Sequence, residues 1–214
     1  MSDFEDTIVF CDRVISQNPN DASAYVSKGD ALKMLGKNEE AVLCYDRAIS
    51  LNSNHYSAYI HRGIALTQLG KDEEAANCFD EAIRVDPNCA KAYVFKGIAL
   101  EDIGDLEAAV DCYDKVINIP PEAVDFYVSK AYYQQGMAFE RIENLEAAID
   151  CFNKAINITP DYADAYYKKG LVLGKMEKYE EAIHFYDRVI SLNPNHDSAY
   201  AYKGIALIQV ENFG

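Results

Sequence analysis

The chain has 214 residues, half of them hydrophobic, and a formal net charge of −15. So acidic a balance disfavours nucleic acid and anionic membranes, because phosphate binding needs clustered Lys and Arg. No apolar run approaches the roughly 20 residues that span a bilayer, and the acidic start MSDFEDTIVFCDR is unlike a secretory signal, so cytoplasm is the expected compartment.

The first predicted element is a helix over residues 3–16, with Phe4, Ile8, Cys11 and Ile15 on one side and Pro19 as its stop. From residue 22 a pattern sets in that recurs to the end. Its marker is a glycine at Gly29, Gly63, Gly97, Gly136, Gly170 and Gly204, spaced by 34, 34, 39, 34 and 34 residues. A tyrosine stands four places before each (Tyr25, Tyr59, Tyr93, Tyr132, Tyr166, Tyr200) and Leu32, Leu66, Leu100, Phe139, Leu173 or Leu207 three places after. Offsets of four and three put all of these on one helical face. Twelve places past the glycine comes an alanine (Ala41, Ala75, Ala109, Ala148, Ala182), and four further on an aromatic (Tyr45, Phe79, Tyr113, Phe152, Tyr186), which together mark the apolar face of a second helix.

Gly36, Gly70 and Gly104 fall where a left-handed cap would end the first helix, and Pro87, Pro160 and Pro194 stop the second. Each period is therefore a helix, a tight turn and a helix. The predicted repeats are 22–55, 56–89, 90–123, 129–162 and 163–196; helix 3–16 reads as a second helix without its first, and 197–214 as a first helix that stops in the turn before its second. Such an array buries its core between neighbours and counts as one elongated unit.

The spacing of 39 leaves Val124 to Val128 as five extra residues after Pro120 and Pro121. The two prolines stop the preceding helix. No breaker follows, so the first helix of the fourth repeat should start about one turn early and carry Phe126 and Tyr127 beyond the edge of the stack. The plainer alternative is an insertion packed on the preceding repeat.

In this order of aromatic, glycine, aromatic, alanine, aromatic and proline, the chain resembles the tetratricopeptide repeat family, whose unit is also about 34 residues. The likeness covers nearly the whole sequence and implies an all-α, right-handed solenoid of helix-turn-helix repeats. Departures are local: Lys28, Arg62, Lys96, Gln135, Lys169 and Lys203 replace a frequent leucine before the glycine, Ser53 replaces one proline, and Glu143, Glu177 and Glu211 replace the turn glycine. The long polar side chains before the glycine are expected to lay their stems on the core edge and carry their heads to water.

Catalysis is not expected. His55, His61, His184 and His196 fall at unrelated repeat positions, with no His-x-x-x-His pair and no cysteine at zinc-finger spacing. The pairs Glu39-Glu40, Glu73-Glu74 and Glu180-Glu181 open second helices, where acidic residues suit the positive dipole end. Cys44, Cys78, Cys112 and Cys151 share one register in the second helix. Helices packed roughly 8 to 10 Å apart exceed the ~7 Å limit for disulfide-bridged Cα atoms, so these cysteines read as small apolar residues. No cofactor or metal is expected.

Function must then lie on a surface. The resemblance implies that first helices line a concave groove in which partner peptides lie, with the groove facing residues three places before and one after each glycine. The first set contains Val26, Ile60, Val94, Tyr133, Tyr167 and Ala201, and the second Asp30, Ile64, Ile98, Met137, Leu171 and Ile205. A contiguous apolar ladder of this kind suggests a binding site; alternatively, the first set is partly buried between adjacent first helices. Lys91, Glu101, Asp102, Lys130, Glu140, Arg141 and Lys175 are candidates for pairing with partner charges. The Lys, Asn and Arg clamp by which one branch of the family holds acidic chaperone tails is absent, since its asparagine position reads Asp30, Ile64, Ile98, Met137, Leu171 or Ile205.

Residues 56–162 hold 19 acidic and 9 basic side chains, a net of −10, so the expected partner is an apolar or amphipathic protein segment with basic character. A second possibility is a structural spacer or an assembling element. In that case Phe4, Ile8 and Ile15 at one end would meet Tyr200, Ile205 and Leu207 at the other in weak head-to-tail contact, which is heterologous and gives filaments or rings.

Overall fold

The computed structural model describes residues 3–119 and 125–213, which form twelve α-helices and no strand. They are α1 (Asp3–Gln17), α2 (Ala22–Met34), α3 (Asn38–Leu51), α4 (Tyr56–Gln68), α5 (Asp72–Val85), α6 (Ala90–Ile103), α7 (Leu106–Ile117), α8 (Asp125–Arg141), α9 (Leu145–Ile158), α10 (Ala163–Lys175), α11 (Tyr179–Leu192) and α12 (Asp197–Phe213). The predicted alternation of first and second helices is present. The chain divides into two compact units, Met1–Cys112 and Tyr113–Gly214, with the boundary inside α7.

From α1 to α6 and from α8 to α12 each helix packs on the next in sequence, and first helices also touch one another, α2 on α4 and α4 on α6 in one unit, α8 on α10 and α10 on α12 in the other. Short turns force this arrangement. Gly36, Gly70 and Gly104 have φ of 75°, 70° and 95°, the left-handed conformation that reverses the chain between a first and a second helix. Glu143 and Glu177 make the same reversal at φ 61° without glycine. The closing hydrogen bonds match: Lys37 N–H donates to Leu32 O and Lys178 N–H to Leu173 O, both at 2.9 Å. At the equivalent Glu211 no reversal occurs, and α12 runs on to Phe213. Glutamate is a good helix former and resists the left-handed region, in keeping with its helical conformation here.

Helix pairing depends on a ring laid on a glycine. Cβ atoms at Gly29, Gly63, Gly136 and Gly170 would lie 2.6 to 2.7 Å from ring carbons of Tyr45, Phe79, Phe152 and Tyr186, closer than any side chain tolerates. The rings are buried, and around them pack the alanines of the second helix and those of the next first helix, as in the cluster of Ile60, Leu66, Ala75, Phe79, Ala82, Ala92 and Ala99. Gly204 in α12 has no atom within 4 Å of a Cβ position. In α1, Cys11 stands 34 residues before Tyr45, at the ring's register, and is buried against α2.

Seams between repeats follow a second rule. The residue before each glycine reaches back sixteen positions to the second helix of the preceding repeat: Lys28 to Asp12 (2.6 Å), Arg62 to Asp46 (2.6 Å), Lys96 to Asp80 (2.7 Å) and Lys203 to Asp187 (2.6 Å). These heads were expected to end in water. The sixteen-residue spacing instead sets each cation beside a carboxylate. Two seams depart from this: Gln135 donates to Asp114 at 2.8 Å across the longer interval of 21 residues, and Lys169 donates to Asn153. The pairs are half exposed and each contributes about 0 to 1 kcal/mol, so they align repeats more than they stabilise them.

α8 is 17 residues long against 13 for α10, and it starts eleven residues before its glycine where α10 starts seven before its own. It therefore begins one turn early, as the spacing predicts. Phe126 is exposed and stacks edge-on against Tyr127, with centroids 5.3 Å apart. Val124, Pro120 and Pro121 lie outside the described residues.

Two outcomes follow for stability, both read by thermal melting. Gly170→Ala should destabilise by about 1 to 3 kcal/mol through overpacking against Tyr186, whereas Gly204→Ala should stabilise by up to about 1 kcal/mol through helix propensity; equal shifts would show that the ring does not impose the glycine. Glu177→Gly should stabilise by about 0.5 to 1 kcal/mol by relieving the left-handed residue, and a loss would mean that the Glu177 side chain contributes more than its backbone costs.

Candidate functional site

The residue one place after each glycine is half-buried at Asp30, Ile64, Ile98, Met137 and Leu171 and exposed at Ile205. The register three places before behaves differently. Ile60 and Val94, expected in the groove, are only 2% and 0% exposed, and Val26 is buried too. They belong to the core because this register faces the repeat's own second helix and the next first helix, as the packing of Ile60 with Phe79 and Ala92 shows. Tyr133 and Tyr167 share the register but are longer than that space. Tyr133 tilts onto Tyr162 at 5.1 Å, and Tyr167 onto His196 at 4.8 Å and Tyr202 at 6.1 Å, so both stay partly exposed.

Of the charged candidates, Glu101 is buried and so does not stand on a wall open to partners. Lys130 is half-buried, and burial pushes its ammonium pKa down. Arg141 is exposed, and the Lys91 ammonium lies 3.4 Å from the His61 ring. Among the end residues, Phe4, Tyr200 and Leu207 are exposed, while Ile8 and Ile15 are half-buried, Ile8 against the Val26 and Tyr45 cluster.

The space between neighbouring first helices is treated in opposite ways at α2 and α4 and at α10 and α12. In the first unit the Tyr45 hydroxyl donates to Asp30 Oδ1 at 2.8 Å, and His61 Nδ1 lies 2.8 Å from the same oxygen. That second contact is too poorly aligned to count as an N–H···O bond. Burial alone would raise the Asp30 carboxyl; the His61 contact, the Tyr45 hydroxyl and Lys33 outweigh it and hold the group below its ordinary range. The phenol is thus capped by a polar cluster.

In the second unit the same space is open. A pocket of about 370 Å³ is lined by Leu171, Tyr186, Tyr202 and Ile205, with Tyr179, Ala206 and Gln209 beside them and Glu140 and Lys175 paired at the rim. Three substitutions within the repeat pattern open it. Leu171 stands where the first repeat has Asp30, and Tyr202 where the second has His61. Gly174 stands where Lys33, Thr67, Glu101 and Glu140 stand in the earlier repeats and adds no side chain. Sequence reasoning singled out Leu171 and Ile205 but not Tyr179, Tyr202, Gly174 or Gln209; the signal for Gly174 was a glycine at a register where no other repeat has one.

All six cysteines are free thiols. Burial raises Cys112 and Cys151 to about 11, which leaves them protonated and unreactive. Arg62 Nη1 donates to Cys78 Sγ at 2.8 Å, and Cys151 donates to Gln135 Oε1 at 3.4 Å, so this register packs beneath the seam residue. Among the described residues no group of three His, Cys, Asp or Glu side chains could hold a metal ion, and no helix is long and apolar enough to cross a membrane.

Models of the tetratricopeptide repeat match residues 10–42, 29–70, 60–124, 142–177 and 163–196. The chain belongs to the tetratricopeptide repeat family. Its fold is accordingly the all-α solenoid of that family, consistent with the repeated helix pairs of each unit. A search of curated proteins gave no sequence match. Among solved structures, chains similar to this one include YrrB, described as a tetratricopeptide repeat protein with an unusual peptide-binding site (24% identity, 91% of this chain and 97% of that one, TM-score 0.65). Another is residues 41 to the end of MamA from Desulfovibrio magneticus RS-1 (24% identity, 82% and 97%, TM-score 0.69). A chain of the APC/C hetero-tetramer Cut9-Hcn1 matches over 95% of this chain and 40% of its own at 16% identity, with a TM-score of 0.79. At these identities the likeness is one of fold.

The Asp30 cluster has a pH signature. A carboxyl held below its unfolded value contributes stability that is present above that value, about 3.9, and is lost as pH falls through the folded one. The melting temperature of the protein should therefore fall on acidification below about pH 4 by more than that of Asp30→Asn. Parallel acid profiles would show that the cluster adds nothing.

Proposed function

We propose that this chain is a non-catalytic scaffold that grips a short segment of a partner protein on the first-helix side of its repeats, with the pocket of Leu171, Tyr202 and Ile205 as an anchor point. The observation that carries this is the pocket itself: an apolar recess of the size that ligand sites have, at the register where the family presents its groove. The peptide-binding site described for YrrB is in keeping with it.

The partner segment is apolar or amphipathic with basic flanks. Residues 1–112 hold 20 acidic and 10 basic side chains and residues 113–214 hold 15 and 10, net −10 and −5, so both units attract cations. This attraction speeds encounter and weakens with salt, while the apolar contact sets affinity.

Peptides selected on the protein from a random display library give the test. Ile205→Asp, at an exposed position where folding is indifferent to it, should weaken the selected peptides at least about tenfold, the scale of one lost apolar anchor. Ile64→Asp in the other unit should leave them unchanged. Peptides that bind Ile205→Asp as well as the parent would place recognition elsewhere.

A second reading has its own support. The face of α12 bearing Tyr200, Gly204 and Leu207 is uncovered, and Gly204 receives no ring. Another copy's α1 would offer it Cys11 at the ring's register, a small residue for a site shaped for an aromatic. Head-to-tail stacking of copies is therefore weak, and sedimentation across a wide concentration range, with Leu207→Glu as control, should show a monomer at micromolar concentration and at most slight association above it. A filament or ring at micromolar concentration, lost in Leu207→Glu, would make assembly the principal role.

A further inference from the structure

Tyr45 and Tyr186 are the same residue of the same register, fifteen positions after Asp30 and Leu171 respectively, and both are almost wholly buried. Tyr45 has a partner, because its hydroxyl donates to Asp30. Tyr186 has none: its ring runs under Gly170, its hydroxyl emerges 3.8 Å from a Cβ position at Gly174, and it makes no hydrogen bond within the described residues. The ring is buried while the hydroxyl is not among the fully buried unpaired polar atoms, so its donor faces the pocket and is open to a ligand. Here it ends at a pocket lined by Leu171, Tyr202, Ile205 and Ala206, with Tyr179 and Gln209 beside them, and none of these residues makes a hydrogen bond to it.

We propose that this pocket recognises an uncharged aliphatic group joined to an amide, such as a leucine-like residue of a partner with its backbone carbonyl, and that Tyr186 is the specificity residue that donates to that carbonyl. The ligand thereby supplies what Asp30 supplies to Tyr45. The assignment rests on the groove reading above and narrows it.

Charge decides the class of ligand. The charged groups lining the pocket are Glu140 and Lys175, and they already bind each other, with Lys168 as a further cation 3.9 Å from Glu140. A carboxylate entering here would be desolvated beside Glu140, and an ammonium would have to displace Lys175. Neither finds a free counter-charge, and an unpaired charge in an apolar recess is strongly disfavoured. A neutral amide loses least on leaving water and gains the Tyr186 hydrogen bond. The acidic surface of the unit then acts on the residues that flank the anchor, not on the anchor.

The test uses N-acetyl-L-leucine methylamide, titrated into the full chain while the tyrosine ring signals are followed by NMR and assigned with Tyr186→Phe and Tyr202→Phe. Saturable shifts of the Tyr186 and Tyr202 rings are expected, with isovalerate and isopentylammonium at least about tenfold weaker. Tyr186→Phe should weaken the amide about fivefold, the scale of one neutral hydrogen bond, without lowering the melting temperature. Leu171→Asp, which recreates the Asp30 and Tyr45 pair, should remain folded and abolish binding. No saturable binding to the parent, equal binding of the charged analogues, or an unchanged affinity in Tyr186→Phe would each overturn the proposal. Selected peptides that depend on Ile205 but bind Tyr186→Phe normally would leave the groove reading intact and remove only this one. Amide binding that depends on Tyr186, with no peptide selectable, would do the reverse.

Discussion

An aromatic ring resting on a glycine sets the distance between the two helices of a repeat, and the remaining contacts depend on that distance. With a Cβ position 2.6 Å from a ring carbon, Gly170 and Tyr186 fit only as a pair. Close approach brings the alanines of both helices into van der Waals contact and explains why so much of the core is alanine, from Ala24 and Ala31 in α2 to Ala199 and Ala206 in α12. Small residues at the seams leave little space between repeats, as in the cleft of about 190 Å³ beside Asp46, Tyr59, Arg62 and Cys78. The larger recess lies on the first-helix side, where a ring tip emerges.

That geometry makes the residue facing each ring tip a choice point. Where it is Asp30, the tip is capped and the space is filled by charge; where it is Leu171, with Gly174 beside it, the space is a recess. Phe79 and Phe152 have no hydroxyl, so the question does not arise there, and Phe79 instead stacks on Phe95 with centroids 6.0 Å apart. One scaffold thus carries different chemistry at successive repeats without altering its packing.

Most of the fold was legible because its causes are local. The glycine spacing gives the helix pairs, the extra residues before Ser129 give the early start of α8, and the carboxyl-rich openings of second helices match α3, α5 and α11. The groove was only half legible. Helical periodicity separates inside from outside but cannot tell a residue facing the next first helix from one facing solvent, an angle of little more than one residue; Ile60 and Val94 fell on the wrong side of it. The seam pairs were missed for a related reason, since Lys28 and Asp12 belong to different repeats and become neighbours only once the repeats stack. The pocket needed a comparison between repeats, of Leu171 with Asp30 and of Gly174 with Lys33, which the consensus pattern conceals.

The sixteen-residue reach of the seam pairs carries a consequence for mechanics. Lys28 to Asp12, Lys96 to Asp80 and Lys203 to Asp187 each close a loop of the same short length, as does each ring on its glycine. The chain entropy surrendered on forming any one of them is small and nearly constant, and within a unit no contact waits on a distant part of the sequence. Tension applied along such a chain is borne by one helix pair after another, so a unit gives way in steps and re-forms quickly when released. A strand-rich domain, whose pairings are remote in sequence, holds until it fails as a whole.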